Sequence, residues 1–343
     1  VKQSAEGPVP NFVPHIASGR LLEQVAIAQN TRIRLPIFIP TNTHDFRSRG
    51  FTLPLNWVAA DIRMIFNVRK LEAAAIKPDF ATVESTRKYL RVDDTCNLLV
   101  VLNGKDKFLE SFWAMDRQEA FHQLRKVGFS IGTAATYSIF DRTTHNTPTP
   151  YAHHAVMLMR HNQVLYELQQ AGLCAIPNLY WNENDQRETK RWGEWLSANS
   201  QVHFVSRDFT MNGHPKTMIS KLDTLIRLFD TVGRSFHVLV VGTGPANAPV
   251  IVRKLGEAGH SSSIITSSPI MDAQSNNRYR ISADNRIIEE KPADRSMPFD
   301  ELIWHNLQLF EHALLQSVKG TEVEHRSLLN LRPVLDSGTI LAH

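Results

Sequence analysis

The sequence predicts an α/β protein of the (β/α)8 barrel class. Three observations lead there: short apolar, β-branched runs recur eight times, segments of helical period separate most of them, and several of those segments stop at a glycine. Near-continuous apolar strands joined through helices imply a parallel sheet covered on both faces, and eight such units close naturally into a barrel. A doubly wound open sheet is the competing architecture.

In chain order the expected strands are 34–40, 79–84, 97–102, 127–132, 173–180, 202–205, 236–241 and 263–266. Pro36, Pro40 and Pro177 each remove a ladder donor, so they belong near strand ends or bulges. Helical period is expected over 57–76, where Val58, Ile62, Ile65 and Val68 lie opposite Arg63, Arg69 and Lys70. Further helices are expected over 109–124, 154–170, 188–198, 217–232 and 249–258, with Gly172, Gly233 and Gly259 as left-handed stops. A short helix over 18–28 leads. A longer one over 298–318, apolar at Leu302, Ile303, Leu307, Leu309, Phe310 and Leu314, closes the chain before Gly320. The expected organisation is an extension (1–33), the barrel (34–295), and a closing helix with its tail packed on the barrel (296–343).

At 343 residues, 42% hydrophobic and 21% charged, the chain can bury a sizeable core. No apolar run is long enough for a membrane span and no secretory leader is read, so a cytoplasmic protein without a membrane partner is expected. Cys96 and Cys174 lack disulfide or CxxC spacing and read as buried thiols. The net charge of +4, with a pI of about 9.1, permits a phosphate, DNA or RNA partner without demanding one. A homo-oligomer or larger assembly is equally compatible with it.

In parallel barrels the ligand meets the residues just after each strand. Those positions hold the polar segment 41–55, long enough to act as a lid, then Asn103-Gly104-Lys105-Asp106, and 133–142 with Tyr137 and Asp141. After them come Asn178, Tyr180, Trp181, Asn182 and Glu183, then Ser206-Arg207-Asp208, then Gly242-Thr243-Gly244, then Ser267-Ser268. Asp208, with Asp141 second, is the expected nucleophile or general base. An Arg207–Asp208 structural pair, or a cap on the next turn, is the plainer reading. Tyr180 and Trp181 could stack on a flat ring, or simply pack beneath a loop. Asn103, Asn178 and Arg207 complete the expected substrate contacts.

Gly242, Thr243 and Gly244 precede a helix that Asn247 could cap, a combination suited to phosphate, with Arg278 as a clamp. A tight turn that needs glycine for its backbone angles explains the same residues. The segment lacks a Walker lysine and the third glycine of a dinucleotide fingerprint. His145, His153, His154 and His161 lack the spacing of converging zinc ligands, so neither metal nor cofactor is expected.

The order of these strand-end motifs resembles the tRNA-guanine transglycosylase superfamily of barrels, including its relatives that exchange bases in DNA. The likeness lies in Val240-Val241-Gly242-Thr243-Gly244-Pro245, in Ser263-Ile264-Ile265-Thr266-Ser267-Ser268-Pro269 and in the opening Leu35-Pro36-Ile37-Phe38-Ile39-Pro40-Thr41. What it implies is a barrel enzyme that transfers or hydrolyses a glycosidic bond of a nucleobase-, nucleoside- or phosphate-bearing substrate. The sequence departs from that family in three places. Ser262 and Ser263 stand where its nucleophilic Asp belongs, Asn103 replaces a base-reading Asp, and the cysteine-rich zinc insertion is missing. Those departures support a second expectation, a catalytically degenerate barrel that binds nucleic acid or a protein partner.

Overall fold

The computed structural model describes residues 19–29, 32–42, 52–67, 73–137, 139, 149–183, 185–210, 215–282, 286–291 and 297–327. Parallel strands alternate with helices through it. The strands are β1 (Phe38–Pro40), β2 (Trp57–Asp61), β3 (Asn97–Val101), β4 (Phe129–Thr133), β5 (Cys174–Ile176), β6 (Phe204–Asp208), β7 (His237–Val241) and β8 (Ser261–Thr266). They form two four-stranded parallel sheets, ordered β1-β8-β7-β6 and β2-β3-β4-β5. The edges of the two sheets touch at parallel bridges, Thr41 with Ala59 and Asn178 with Ser206.

Helices α1 (Val83–Leu90), α2 (Asp106–Trp113), α3 (Arg117–Lys126), α4 (Tyr151–Gln170), α5 (Gln186–Ala198), α6 (Pro215–Val232) and α7 (Ala248–Glu257) lie between successive strands. After β8 come α8 (Ser268–Gln274), an antiparallel hairpin pairing Arg278–Ile281 with Ile287–Glu290, and α9 (Phe299–Ser317). Gly172, Gly233 and Gly259 stand at φ of 78°, 74° and 77°, the left-handed backbone expected of helix stops.

Strand alternation divides the core. One apolar cluster takes Ile39, Ala59, Leu99, Ile131, Ile176, Phe204, Leu239 and Ile265, so all eight strands contribute to it. The alternate residues, such as Val58, Leu98, Val205, Val238 and Ile264, join a larger cluster with the helices. Side chains two apart share a face, so the first set marks the inner face and the second the outer.

Four expectations need correction. The segment 79–84 is no strand: Pro78–Phe80 makes a 3-10 turn, and Thr82 then caps α1 by accepting the Ser85 amide at 3.1 Å. The strand sits earlier, at β2, where helical period had been read over 57–76. Val58, Ala59 and Ala60 are fully buried and β2 pairs with β3 over five residues, so tertiary burial outweighs a chance match to period 3.6. The expected helix over 109–124 is broken between α2 and α3, because Asp116 starts a new helix by accepting the Glu119 amide. Among residues 19–29 only the turn Leu22–Gln24 is helical. Most of the expected lid, 43–51, and the tail beyond 327 lie outside the described residues. Within the described residues no helix is long and apolar enough to cross a membrane.

Candidate functional site

Extending the inner-face alternation one step past the strands carries it to Thr41, Asn103, Asn178, Asp208 and Thr243, all at C-terminal strand ends. Three of these five meet directly. Asn103 Nδ2 donates to Asp208 Oδ2 at 2.8 Å, and Asn178 Nδ2 lies 3.3 Å from Asn103 Oδ1. Thr136, which follows β4, completes the chain: its hydroxyl bonds Asn103 Oδ1 at 3.4 Å and accepts from Asn178 Nδ2. Four successive strands thus present one carboxylate, two amides and a hydroxyl in a single network. The other Asp208 oxygen accepts the Thr210 amide at 2.7 Å, which fixes the carboxylate's orientation. Asn178 is fully buried, and its Oδ1 has no partner among the described residues. The Thr243 hydroxyl, on β7's inner face, is likewise buried without one. Buried acceptors rarely stay empty, so this end of the sheet holds unspent hydrogen-bonding capacity.

Arg207 is turned away. It follows Val205 on the outer face, where it is buried, donates to Leu179 O and pairs with Glu183 rather than with Asp208. Its guanidinium lies 4.9 Å from the Trp181 ring centroid and 5.9 Å from that of Tyr180. Trp181 is buried, with its indole N–H on Thr189 Oγ1 at 2.9 Å. The Tyr180 hydroxyl meets the backbone of Ile139 at 3.4 Å, and burial pushes its pKa up. Both rings therefore pack around Arg207. Glu183 is spent in the same ion pair. Asp141 lies outside the described residues.

At the expected phosphate turn, Gly242 has φ 76° and donates to Ile265 O at 3.0 Å. A Cβ on it would stand 2.0 Å from Thr210 Oγ1, so both the backbone angle and the close approach require glycine. Gly244 O accepts the amides of Asn247 and Ala248 at 3.2 and 3.1 Å. Asn247 takes helical angles and makes no side-chain cap, contrary to expectation, and Pro249, two residues on, has no N–H for it to accept. Arg278 stands on the hairpin against α9, exposed, with Nε 3.4 Å from His305 Nε2. It stands beside the closing helix and not at the Gly242 turn.

Two residues at this end escaped the sequence reading. Asp61 ends β2, where it accepts the Arg63 and Met64 amides at 2.8 and 2.9 Å and caps a short helix, Ile62–Ile65. It was hidden by the misassigned helix. Thr136 lies three residues beyond its strand, with no local signal to single it out. Among the described residues no three His, Cys, Asp or Glu side chains gather to hold a metal.

Behind the network, His161 on α4 is buried, with Nδ1 2.8 Å from Ala135 O, next to Thr136. A carbonyl only accepts, so the proton sits on Nδ1, while Nε2 is buried without a partner. Burial pushes its pKa down to about 4. The unfolded chain, at roughly 6.5, therefore binds the proton first, and stability falls as pH drops below that value. By linkage the loss at pH 5 is roughly 2 kcal/mol, levelling off near the folded value. Urea unfolding at pH 7 and pH 5 should show it, and His161→Gln should lose that much less stability over the interval. Equal losses in both proteins would remove His161 as the cause.

Neither a family model nor a curated protein matches the chain. Among solved structures, the carboxyl transferase domain of Rhizobium etli pyruvate carboxylase is distantly similar. It has a TM-score of 0.39 and 10% identity over 92% of this chain and 60% of that one. The same domain with 3-bromopyruvate gives 0.33 and 9%, over 91% and 59%. This chain spans about three fifths of the length of those domains. The transglycosylase resemblance stands on its motifs alone.

Proposed function

We propose that the two sheets are one closed (β/α)8 barrel whose C-terminal mouth is an enzyme site. The edge bridges and the cluster fed by all eight strands support closure. The proposed substrate is a nucleobase, nucleoside or related phosphate-bearing small molecule, and the proposed reaction is transfer or hydrolysis of a glycosidic bond. The observation that carries this reading is the network itself: Asp208 and Asn103, both half-buried, are joined at 2.8 Å, and the fully buried Asn178 beside them keeps an unpartnered acceptor. Amide side chains offer a donor and an acceptor in one plane, which matches the edge of a flat heterocycle. Asp208 can then take a proton from an attacking water, or bond the sugar carbon as the glycosidic bond breaks and the base leaves with its electron pair and a proton from water. No carboxylate lies on β8, where Ser262 and Ser263 are buried, so the proposed chemistry runs from β6. The Gly242–Gly244 turn is the proposed phosphate contact. Arg207, Tyr180 and Trp181 support the loop that carries Asn178.

The test is thermal unfolding with nucleobases, nucleotides, sugar phosphates, tRNA and short DNA at two salt concentrations. A ligand at 100 times its Kd stabilises by about 2.7 kcal/mol. The expected result is a shift from a small base or nucleotide that salt leaves unchanged. A shift from long nucleic acid alone, lost at higher salt, would overturn the enzyme reading in favour of a binding barrel.

A further inference from the structure

Where the two sheets meet along β5 and β6, the strands bond to each other directly for one rung. Ser206 N donates to Pro177 O and Leu179 N to Ser206 O, both at 2.8 Å. In a parallel ladder the next rung towards the N-terminal ends would run from Phe204 N to Ala175 O, and from the nitrogen of residue 177 to Phe204 O. Residue 177 is a proline and has no N–H, so that rung cannot close.

The gap is filled from elsewhere in the chain. Gln29 is buried, and its side-chain amide stands between the two strands. Its Nε2 donates to Phe204 O at 2.8 Å and to Ala175 O at 3.1 Å. Its Oε1 accepts from Phe204 N at 2.7 Å and from His203 N at 2.8 Å. Two carbonyls meet one end of the amide and two N–H groups the other, so its orientation is fixed, and both protons and both lone pairs are used. Phe204 O thus takes from Gln29 the donor that Pro177 cannot supply.

Gln29 ends a segment, 19–29, that adds no strand to either sheet. The segment lies across α4 and α5. Arg20 N donates to Met159 O at 3.1 Å, Trp195 Nε1 to Val25 O at 2.9 Å and Gln201 Nε2 to Ile27 O at 2.9 Å. Leu22, Val25 and Ile27 are buried, and the exposed Glu23 pairs with Arg191 at 2.7 Å. Towards their C-terminal ends the same two strands lead to Asn178 and Asp208. The 2.8 Å bond from Asn103 to Asp208 runs from one sheet to the other, so the width of the seam enters its geometry. We propose that segment 19–29 is a strap that holds the seam between β5 and β6 shut through Gln29, and that Gln29 is a positioning residue for the Asn103–Asp208 pair. The second clause rests on the reading of that mouth as a ligand site.

The experiment is hydrogen exchange of the full chain followed by NMR, in the wild type and in Gln29→Met, which keeps the side-chain length and removes the amide. The His203 and Phe204 amides should exchange about tenfold faster relative to that of Leu99 on β3, as the loss of one net hydrogen bond allows. The indole N–H of Trp195 should speed up with them, because the strap lifts as one piece. The side-chain amide signals of Asn103 and Asn178 should move in Gln29→Met and stay in place in Ile251→Val, a core truncation on α7. Adding Pro177→Ala to Gln29→Met gives residue 177 an N–H and should return the Phe204 amide towards its wild-type rate. If Gln29→Met fails to fold by circular dichroism, Glu23→Gln takes its place and should speed the same amides and indole about twofold, as an exposed ion pair allows. Wild-type exchange at His203 and Phe204, faster exchange there with the indole unchanged, or no return with Pro177→Ala would overturn the strap. Unmoved Asn103 and Asn178 signals would overturn the positioning role. None of these readouts uses a substrate, so failure of the thermal screen would count against the glycosidic reading and leave the strap standing.

Discussion

Asp208→Asn is expected to lower turnover of the substrate found by thermal screening by about 10²–10⁴-fold, the usual contribution of a positioned acid or base. The fold should survive, because both native contacts of the carboxylate are hydrogen bonds it accepts, from Thr210 N and Asn103 Nδ2. An amide at position 208 can keep only one of them. Its NH2 would face the Asn103 NH2, and rotating Asn103 to relieve this would turn its donor end toward Thr136 and Asn178, which now meet Asn103 Oδ1. A stability loss of about 1 kcal/mol is therefore expected alongside the loss of activity. Asn103→Ala separates the two effects: it breaks the network but keeps the carboxylate. It should raise KM more than it lowers kcat if Asn103 reads the substrate edge. Near-normal kcat in Asp208→Asn would remove Asp208 from the chemistry, whatever happens to stability.

Seven of the eight parallel strands could be read from the sequence because each is an apolar run that the sheet buries on both faces, and no competing pattern overlaps them. The second was missed because Trp57–Asp61 mimics a helical face, while the 3-10 turn Pro78–Phe80 and the N-cap of α1 imitate a strand. What places these residues is pairing with a segment forty positions away, as in Trp57 with Asn97, and a local window cannot see it. The candidate site was legible where alternation was applied and obscure where it was not. Arg207 and Asp208 are neighbours on one strand, so they cannot share a face, and that rule alone separates the buried structural cation from the network carboxylate.

Glu183→Ala should destabilise the protein by about 3–5 kcal/mol, the cost of leaving a buried charge without its partner. The Arg207 side chain is 1% exposed and that of Glu183 19%, so water can do little to replace the lost carboxylate. Burial already pulls the Arg207 pKa down, with Glu183 the strongest influence opposing it. Leu179 O would then be the main acceptor left to the guanidinium, since its Nε is buried without a partner. The double variant Glu183→Leu with Arg207→Met should behave differently, because apolar replacement of a whole buried pair is often neutral or stabilising. Denaturant unfolding of the wild type, the single variant and the double variant measures this. Because the ion pair braces the loop leading from Asn178, Glu183→Ala should also weaken binding of the small ligand found in the screen. In the double variant both stability and binding should return. Recovery of stability without recovery of binding would instead give Arg207 a direct hand on the substrate, which its outer-face position argues against. No loss in Glu183→Ala would mean that the carbonyl of Leu179 and the Trp181 ring suffice to hold the charge.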